Sequence, residues 1–186
     1  AALSSGSALP SWLTINSASG LLSGTPANGD VGAIAIKVTA IDSQSASVSD
    51  TFTLTVANTN DVPTLSLAIS DASTNEDVAY SYDASSHFSD ADVGDTLTYS
   101  ATLSNDSALP SWLSFNTTTG VLSGTPANGD VGAIAVKITA TDSASASVND
   151  TYTLTVANTN DAATITAVNA SISEDVATVS GTATHT

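Results

Sequence analysis

Apolar and polar residues alternate with a period of two along much of the chain, the pattern of half-buried strands. Ile134, Val136, Ile138 and Ala140 share one side of a run whose other side is Ala133, Ala135, Lys137 and Thr139. Tyr152, Leu154 and Val156 alternate in the same way with Thr151, Thr153 and Thr155. Shorter runs place Leu65, Leu67 and Ile69 together, then Val78, Tyr80 and Tyr82, then Leu97, Tyr99, Ala101 and Leu103. Leu113 and Phe115 lead into a turn over 116–120, with Val121 and Leu122 beyond it. Gly, Asn, Asp and Pro punctuate the runs, and no segment sustains a helical period. Six or seven short strands in about 100 residues predict an all-β, Greek-key β-sandwich.

The pattern repeats. Residues 7–61 and 107–161 align without gaps over 55 positions with 12 differences, most of them conservative, such as Ile36 for Val136 and Phe52 for Tyr152. The period of 100 residues matches one sandwich. The predicted organisation is a partial repeat lacking its first strands at 1–60, a complete repeat at 61–160, and the opening strands of a further repeat at 161–186. Tandem copies supply length or repeated surfaces, whereas catalysis seldom needs adjacent copies, so a structural or binding role is expected rather than an enzyme.

Charge narrows this further. The 186 residues carry 18 acids against two Lys and no Arg, a formal net charge of −16. So few cations exclude nucleic acid as a partner, and anionic membrane surfaces with it. Hydrophobic residues make up 41% of the chain, enough for a core, so acidity here does not mean disorder. No apolar run is long enough to span a bilayer, and none reads as a signal peptide. A start at Ala1 and the absence of Met read as a piece of a longer protein. Cys is absent, which removes disulfides and points toward a bacterial or a cytosolic protein. One Lys per repeat, on the outer side of its strand, argues against Lys–Asn cross-links. The staple that remains is a metal ion. Of the acids, all but Glu76 and Glu174 are Asp, a turn residue and a hard oxygen ligand.

Three stretches carry a resemblance. Residues 109–156, LPSWLSFNTTTGVLSGTPANGDVGAIAVKITATDSASASVNDTYTLTV, resemble the putative-Ig or dystroglycan-type cadherin-like family. FSDADVGDTLTYSATL at 88–103 is similar to the cadherin segment with an Asp-x-Asp pair before a Tyr-Ser strand, and ANTNDVP at 57–63 resembles the cadherin interdomain linker. The resemblance implies sandwich repeats of large bacterial surface adhesins, secreted or on the cell surface, with Ca²⁺ at the junctions and roles in adhesion and biofilm. It implies an ion held by Asn60, Asp61, Asp90, Asp92 and Asp142, with Asp42 the counterpart of Asp142 one repeat earlier. Glu76 would serve the following junction with Asn160 and Asp161. The residues themselves allow this, because Asp90 and Asp92 are one residue apart and Ca²⁺ takes six to eight hard oxygens. The chain departs from the cadherin pattern where 122–126 occupies the place of an acidic tripeptide without a carboxylate, and where Asn58 replaces the first linker acid. One ion per junction is expected, and two are compatible. Residues 161–186 resemble the start of a VCBS repeat.

Other candidates have plainer readings. Asp30, Asp50, Asp106, Asp130 and Asp150 are read as turn acids, while Asp77 and Asp95 stay open. Trp12 and Trp112 are read as packing under the sandwich end. A sugar-stacking Trp112 on a Thr-rich face would instead make the chain a carbohydrate-binding module of a secreted polysaccharide-degrading enzyme. His87 has no second His near it in sequence, against zinc or acid–base chemistry. The expected function is a calcium-stabilised stalk repeat, with glycans or other surface ligands met by other parts of the parent protein.

Overall fold

A computed structural model of the chain describes residues 1–162. Glu174 and the opening strands expected at 161–186 therefore lie outside the described residues, save for Asp161 and Ala162.

The described chain is all β apart from three single 3-10 turns. Its first part holds β1 (Ala2–Leu3), β2 (Leu13–Ile15), β3 (Leu22–Gly24), β4 (Gly32–Ile41) and β5 (Ser47–Val56). Then follow β6 (Thr64–Leu65), β7 (Ala72–Asn75), β8 (Tyr80–Asp83), β9 (Phe88–Ser89), β10 (Thr98–Leu103), β11 (Leu113–Asn116), β12 (Val121–Gly124), β13 (Gly132–Thr141) and β14 (Ser147–Ala157). One sheet runs β10-β13-β14-β7, the other β11-β12-β8, and a short β6–β9 pair closes the side. All pairings are antiparallel except β7 with β14.

The core between the sheets follows the alternation. Val136, Ile138, Ala140, Tyr152 and Leu154 come from one sheet, Leu113 and Leu122 from the other, and Ile69, Ala84 and Phe88 from the connecting segments. The register puts Val136 opposite Tyr152 and Ile134 opposite Leu154, so the inward set of each strand meets the inward set of its neighbour. Thr151, Thr153, Thr155 and Lys137 take the other parity, as expected. The Lys137 ammonium pairs with Asp106 at the turn after β10. Trp112 packs against the core from its edge and is half-buried.

Three local expectations change. The run at Leu65, Leu67 and Ile69 pairs only at Thr64–Leu65, because Ser66 and Leu67 both donate their N–H to the His87 carbonyl and break the ladder. Leu67 consequently faces solvent, while Ile69 returns to the core. Val78 is likewise exposed, beside Asp77, which adopts a positive φ of 60° and donates its N–H to Pro126 O. Strand β7, with the sequence ASTN, has no hydrophobic signature, and its place comes from lying parallel along the edge of β14.

Asp150 is more than a turn acid. It sits within β14, where Oδ2 accepts the Ile69 N–H at 2.7 Å and Oδ1 accepts the Thr151 N–H at 2.8 Å. Asp71 returns the favour by accepting the Thr153 N–H at 2.7 Å. These carboxylates replace ladder bonds where β14 runs past the start of β7. Asp150→Ala is expected to cost about 1–3 kcal/mol, the range for leaving a partly buried donor unmet. A shift of the urea midpoint at unchanged slope checks it, and an unmoved midpoint would show water taking over.

Residues 1–57 repeat the second half of this design. Ala2 and Leu3 pair with Lys37 and Ile36 as Thr102 and Leu103 pair with Lys137 and Val136. Among residues 1–60 no strand stands where β7 and β8 stand in 64–157. Phe52 is therefore 43% exposed, whereas Tyr152 is 1% exposed. Trp12, Leu13, Leu22, Pro26, Phe52 and Leu54 line an open groove of about 510 Å³ in their place.

Candidate metal centre at the repeat junction

The Asp-x-Asp pair follows β9 in a turn that the side chains themselves shape. Asp90 Oδ1 accepts the Asp92 N–H at 2.9 Å, and the Asp95 N–H donates to Asp92 O at 3.2 Å, so the loop folds back over its own start. Asp142 arrives from the opposite direction, at the tip of the β13–β14 hairpin. Its backbone N–H donates to Ala146 O, and its Oδ1 accepts the Ala146 N–H at 2.7 Å. One oxygen from each of Asp90, Asp95 and Asp142 lies within 4.8 Å of the others.

The linker enters from the side. Asn60 Nδ2 donates to Asp142 Oδ2 at 2.9 Å, and the Asp61 N–H donates to Asp92 Oδ2 at 2.8 Å. Asn58, Asn60, Asp92, Gly94, Asp95 and Ser143 line a small polar cleft over the cluster, about 240 Å³ in volume. The structure thus brings together Asn60, Asp61, Asp90, Asp92 and Asp142 at this pole.

Asp95 joins them, and its carboxyl is held below the ordinary range, first by the Ser143 hydroxyl and then by the Thr96 backbone N–H. Both bonds favour the charged form. In the sequence Asp95 stayed open between a turn acid and a ligand. What made it a site residue is the approach of Ser143 and Asp142, nearly fifty positions away.

Asp92 and Asp142 are 6% and 5% exposed, far below what unpaired carboxylates tolerate. Asp90 Oδ2 and Asp92 Oδ1 are buried without a hydrogen-bond partner among the described residues. Two like charges about 4 Å apart cost roughly 1 kcal/mol in water and about 4 kcal/mol at an effective dielectric of 20. A cluster of anionic oxygens, one linker amide and orphaned acceptors fits a hard divalent cation that prefers oxygen, which is the chemistry of Ca²⁺. The Asn60 amide, which donates to Asp142 here, would turn its oxygen toward a bound cation.

The other candidates lie elsewhere. Glu76 is at the opposite pole of 64–157 and only 1% exposed. Its Oε1 accepts the Thr159 N–H at 2.6 Å, its backbone N–H reaches Ala157 O, and Oε2 is buried and unpartnered. Asp161 is nearby in the same linker and accepts from the Asn128 amide, while Asn160 donates to Asp161 O. Asp42 sits alone in its hairpin, its Oδ1 accepting the Gln44 and Ala46 N–H groups at 2.9 Å each. The segment at 122–126 brings no carboxylate to the linker: Leu122 is fully buried in β12, and Pro126 O accepts the Asp77 N–H beside Glu76. It is the next loop, through Asn128, that reaches the linker. His87 is a strut: its Nδ1 bonds Leu67 O and its Nε2 the Tyr82 hydroxyl, each at 2.8 Å.

Comparison with known proteins places this geometry. The family model described as "Putative Ig domain" matches residues 1–57 and 62–157. Human mucin-like protocadherin EC1-2 is similar in structure, with a TM-score of 0.62 at 14% identity, over 81% of this chain and 80% of that one. A protocadherin gammaB7 EC3-6 structure has a TM-score of 0.57 at 22% identity, covering 90% of this chain and 43% of that one. At these identities the likeness is one of fold. An endo-fucoidan hydrolase of glycoside hydrolase family 107 has a TM-score of 0.45 at 24% identity, over 81% of this chain, which spans only 23% of the hydrolase. No curated protein matches the chain.

Proposed function

From a chain that belongs to the family described as "Putative Ig domain", we propose a calcium-stabilised repeat segment of an extracellular bacterial stalk or adhesin. The domain kind is typically non-catalytic, and the role needs no catalysis. Ca²⁺ binds at the pole formed by Asp90, Asp92, Asp95 and Asp142, with Asn60 and Asp61 contributed by the linker. The observation that carries this reading is the pair of linker bonds, Asn60 to Asp142 and Asp61 to Asp92, made at a pole where Asp142 crowds Asp90 and Asp95. An ion there relieves the crowding and ties the linker to the sandwich in one step. The junction stiffens, and a row of repeats holds a ligand-binding region away from the surface. A secreted or cell-surface location follows from this role. Among the described residues no helix is long and apolar enough to cross a membrane.

Asp92 is the residue whose charge the site should miss most, because one of its oxygens holds the linker and the other is buried without a partner. Asp92→Asn keeps the shape and removes one charge. It is expected to weaken Ca²⁺ binding about tenfold, equivalent to about 1.4 kcal/mol, in a calorimetric titration. Asp106→Asn serves as the control, since Asp106 is exposed and paired with Lys137 away from the cluster. Equal losses in the two variants would mean that diffuse negative charge binds the ion, and the residue assignment would fall.

A further inference from the structure

The loop after β3 is built the same way in both copies. In the first, the Ala27 N–H donates to Asp30 Oδ2 at 2.9 Å and the Asp30 N–H to Ala27 O at 2.8 Å. Ala127 and Asp130 repeat both bonds at the same distances. Each loop is thereby locked into a single 3-10 turn, and each aims one side chain at the linker that follows. Asn28 Nδ2 donates to Asp61 Oδ2 at 2.5 Å. Asn128 Nδ2 donates to Asp161 Oδ2. The contact thus recurs at a spacing of 100 residues, on a loop whose sequence is identical in the two copies.

Asp61 is therefore gripped from two sides. Its side chain is held by the repeat before it, and its backbone N–H is held by Asp92 of the sandwich after it. The two grips differ in kind. On the Asp92 side the partners are carboxylates with orphaned oxygens, which want a cation. On the Asn28 side the partner is a neutral amide that already supplies a proton to the anionic oxygen. An amide donor neither titrates nor needs an ion, and a hydrogen bond to a charged acceptor is the stronger sort.

We propose that Asn28, and Asn128 in the next copy, is a metal-independent clamp whose amide takes, by hydrogen bonding, the linker-acid oxygen that a second cation would otherwise need. The clamp docks each repeat on the linker acid whether or not Ca²⁺ is present, and it leaves the Asp61 carboxylate bound to an amide rather than to a further ion on the side of the preceding repeat. Asp30 and Asp130 are positioning residues for it, acting through the turn they cap. This count of ions rests on the calcium reading given above, whereas the clamp itself does not.

The test uses the whole chain, with Ca²⁺ as the only added ion. In chelator, Asn28→Ala is expected to speed hydrogen exchange at the Asp61 amide on the order of tenfold, in line with loss of a charge-assisted bond. Its Ca²⁺ affinity should stay within about threefold of the parent, against the tenfold expected of a lost ligand. Asn28→Asp, which sets a second carboxylate against Asp61, should bind one more Ca²⁺ per chain by equilibrium dialysis. Unchanged exchange in chelator for Asn28→Ala would overturn the clamp. A loss of affinity of about tenfold with unchanged exchange would make Asn28 a ligand through its oxygen, which also overturns it. No additional ion in Asn28→Asp would overturn the idea that the amide stands where a cation could. If the parent chain bound no Ca²⁺, the functional proposal would fail, and exchange in chelator would still decide the clamp.

Discussion

Raising Ca²⁺ from chelator to about 10 mM is expected to stabilise the folded chain by about 1.4 to 2.7 kcal/mol, for dissociation constants of roughly 1 to 0.1 mM. The range is that of extracellular modules, and the mechanism is mass action on the native state alone. In the unfolded chain Asn60, Asp90 and Asp142 are far apart, so the site does not exist there. At about 4–8 °C per kcal/mol for a domain of this size, the melting temperature should rise by at least roughly 6 °C. The effect should be read near neutral pH. Sodium at matched ionic strength is the control, because general screening also relieves repulsion in a chain of net charge −16. A melting curve identical in chelator and in Ca²⁺ would remove the cation from the account of this pole.

Gly124→Ala is expected to do more damage than a methyl group added at any other glycine of 64–157. A Cβ built at Gly124 would lie 1.9 Å from the Trp112 carbonyl oxygen and 2.9 Å from its carbon. Both are backbone atoms, so no rotamer change relieves the clash. Gly124 is paired with Leu113 at the end of the β11–β12 ladder, and separating those strands pulls Leu113 and Leu122 out of the core. The cost should be about 3 kcal/mol or more, at the upper end for overpacking. That is a large share of the stability of a typical domain. Gly129→Ala is the companion measurement, since nothing lies within 4 Å of a Cβ there. Its effect should stay within about 0.5 kcal/mol. Equal midpoints for the two variants in urea would show that β12 shifts freely, contrary to the packing described.

The same glycine explains why one motif could be read two ways. Trp112 alternates out of phase with Leu113 and Phe115, which left open an exposed ring able to stack on a sugar. The missing side chain at Gly124 makes room for the Trp112 backbone and for its ring, whose Cε3 would lie 3.1 Å from an added Cβ. A half-buried ring packed on the core is the result.

Residues close in sequence settled much of this protein before any tertiary contact was known. The alternation in β13 and β14 set which side chains face inward, because a strand points successive residues to opposite faces whatever its partners are. The 100-residue period set the recurrence of the design. The presence of Asp90 and Asp92 in one loop was legible because they are one residue apart. Tertiary structure decided what depends on closing long loops. Asn60 meets Asp142 across 82 positions, and Asp61 meets Asp92 across 31. Asp95 became a member of the cluster only when the β13–β14 hairpin delivered Asp142 and Ser143 beside it. Leu67 was sent outward by a doubled bond to His87 O, and polar β7 became a strand only because β14 had a free edge. Local pattern encodes the face a residue takes, whereas its neighbours across the sandwich are fixed by the joint packing of sheets that no single segment specifies.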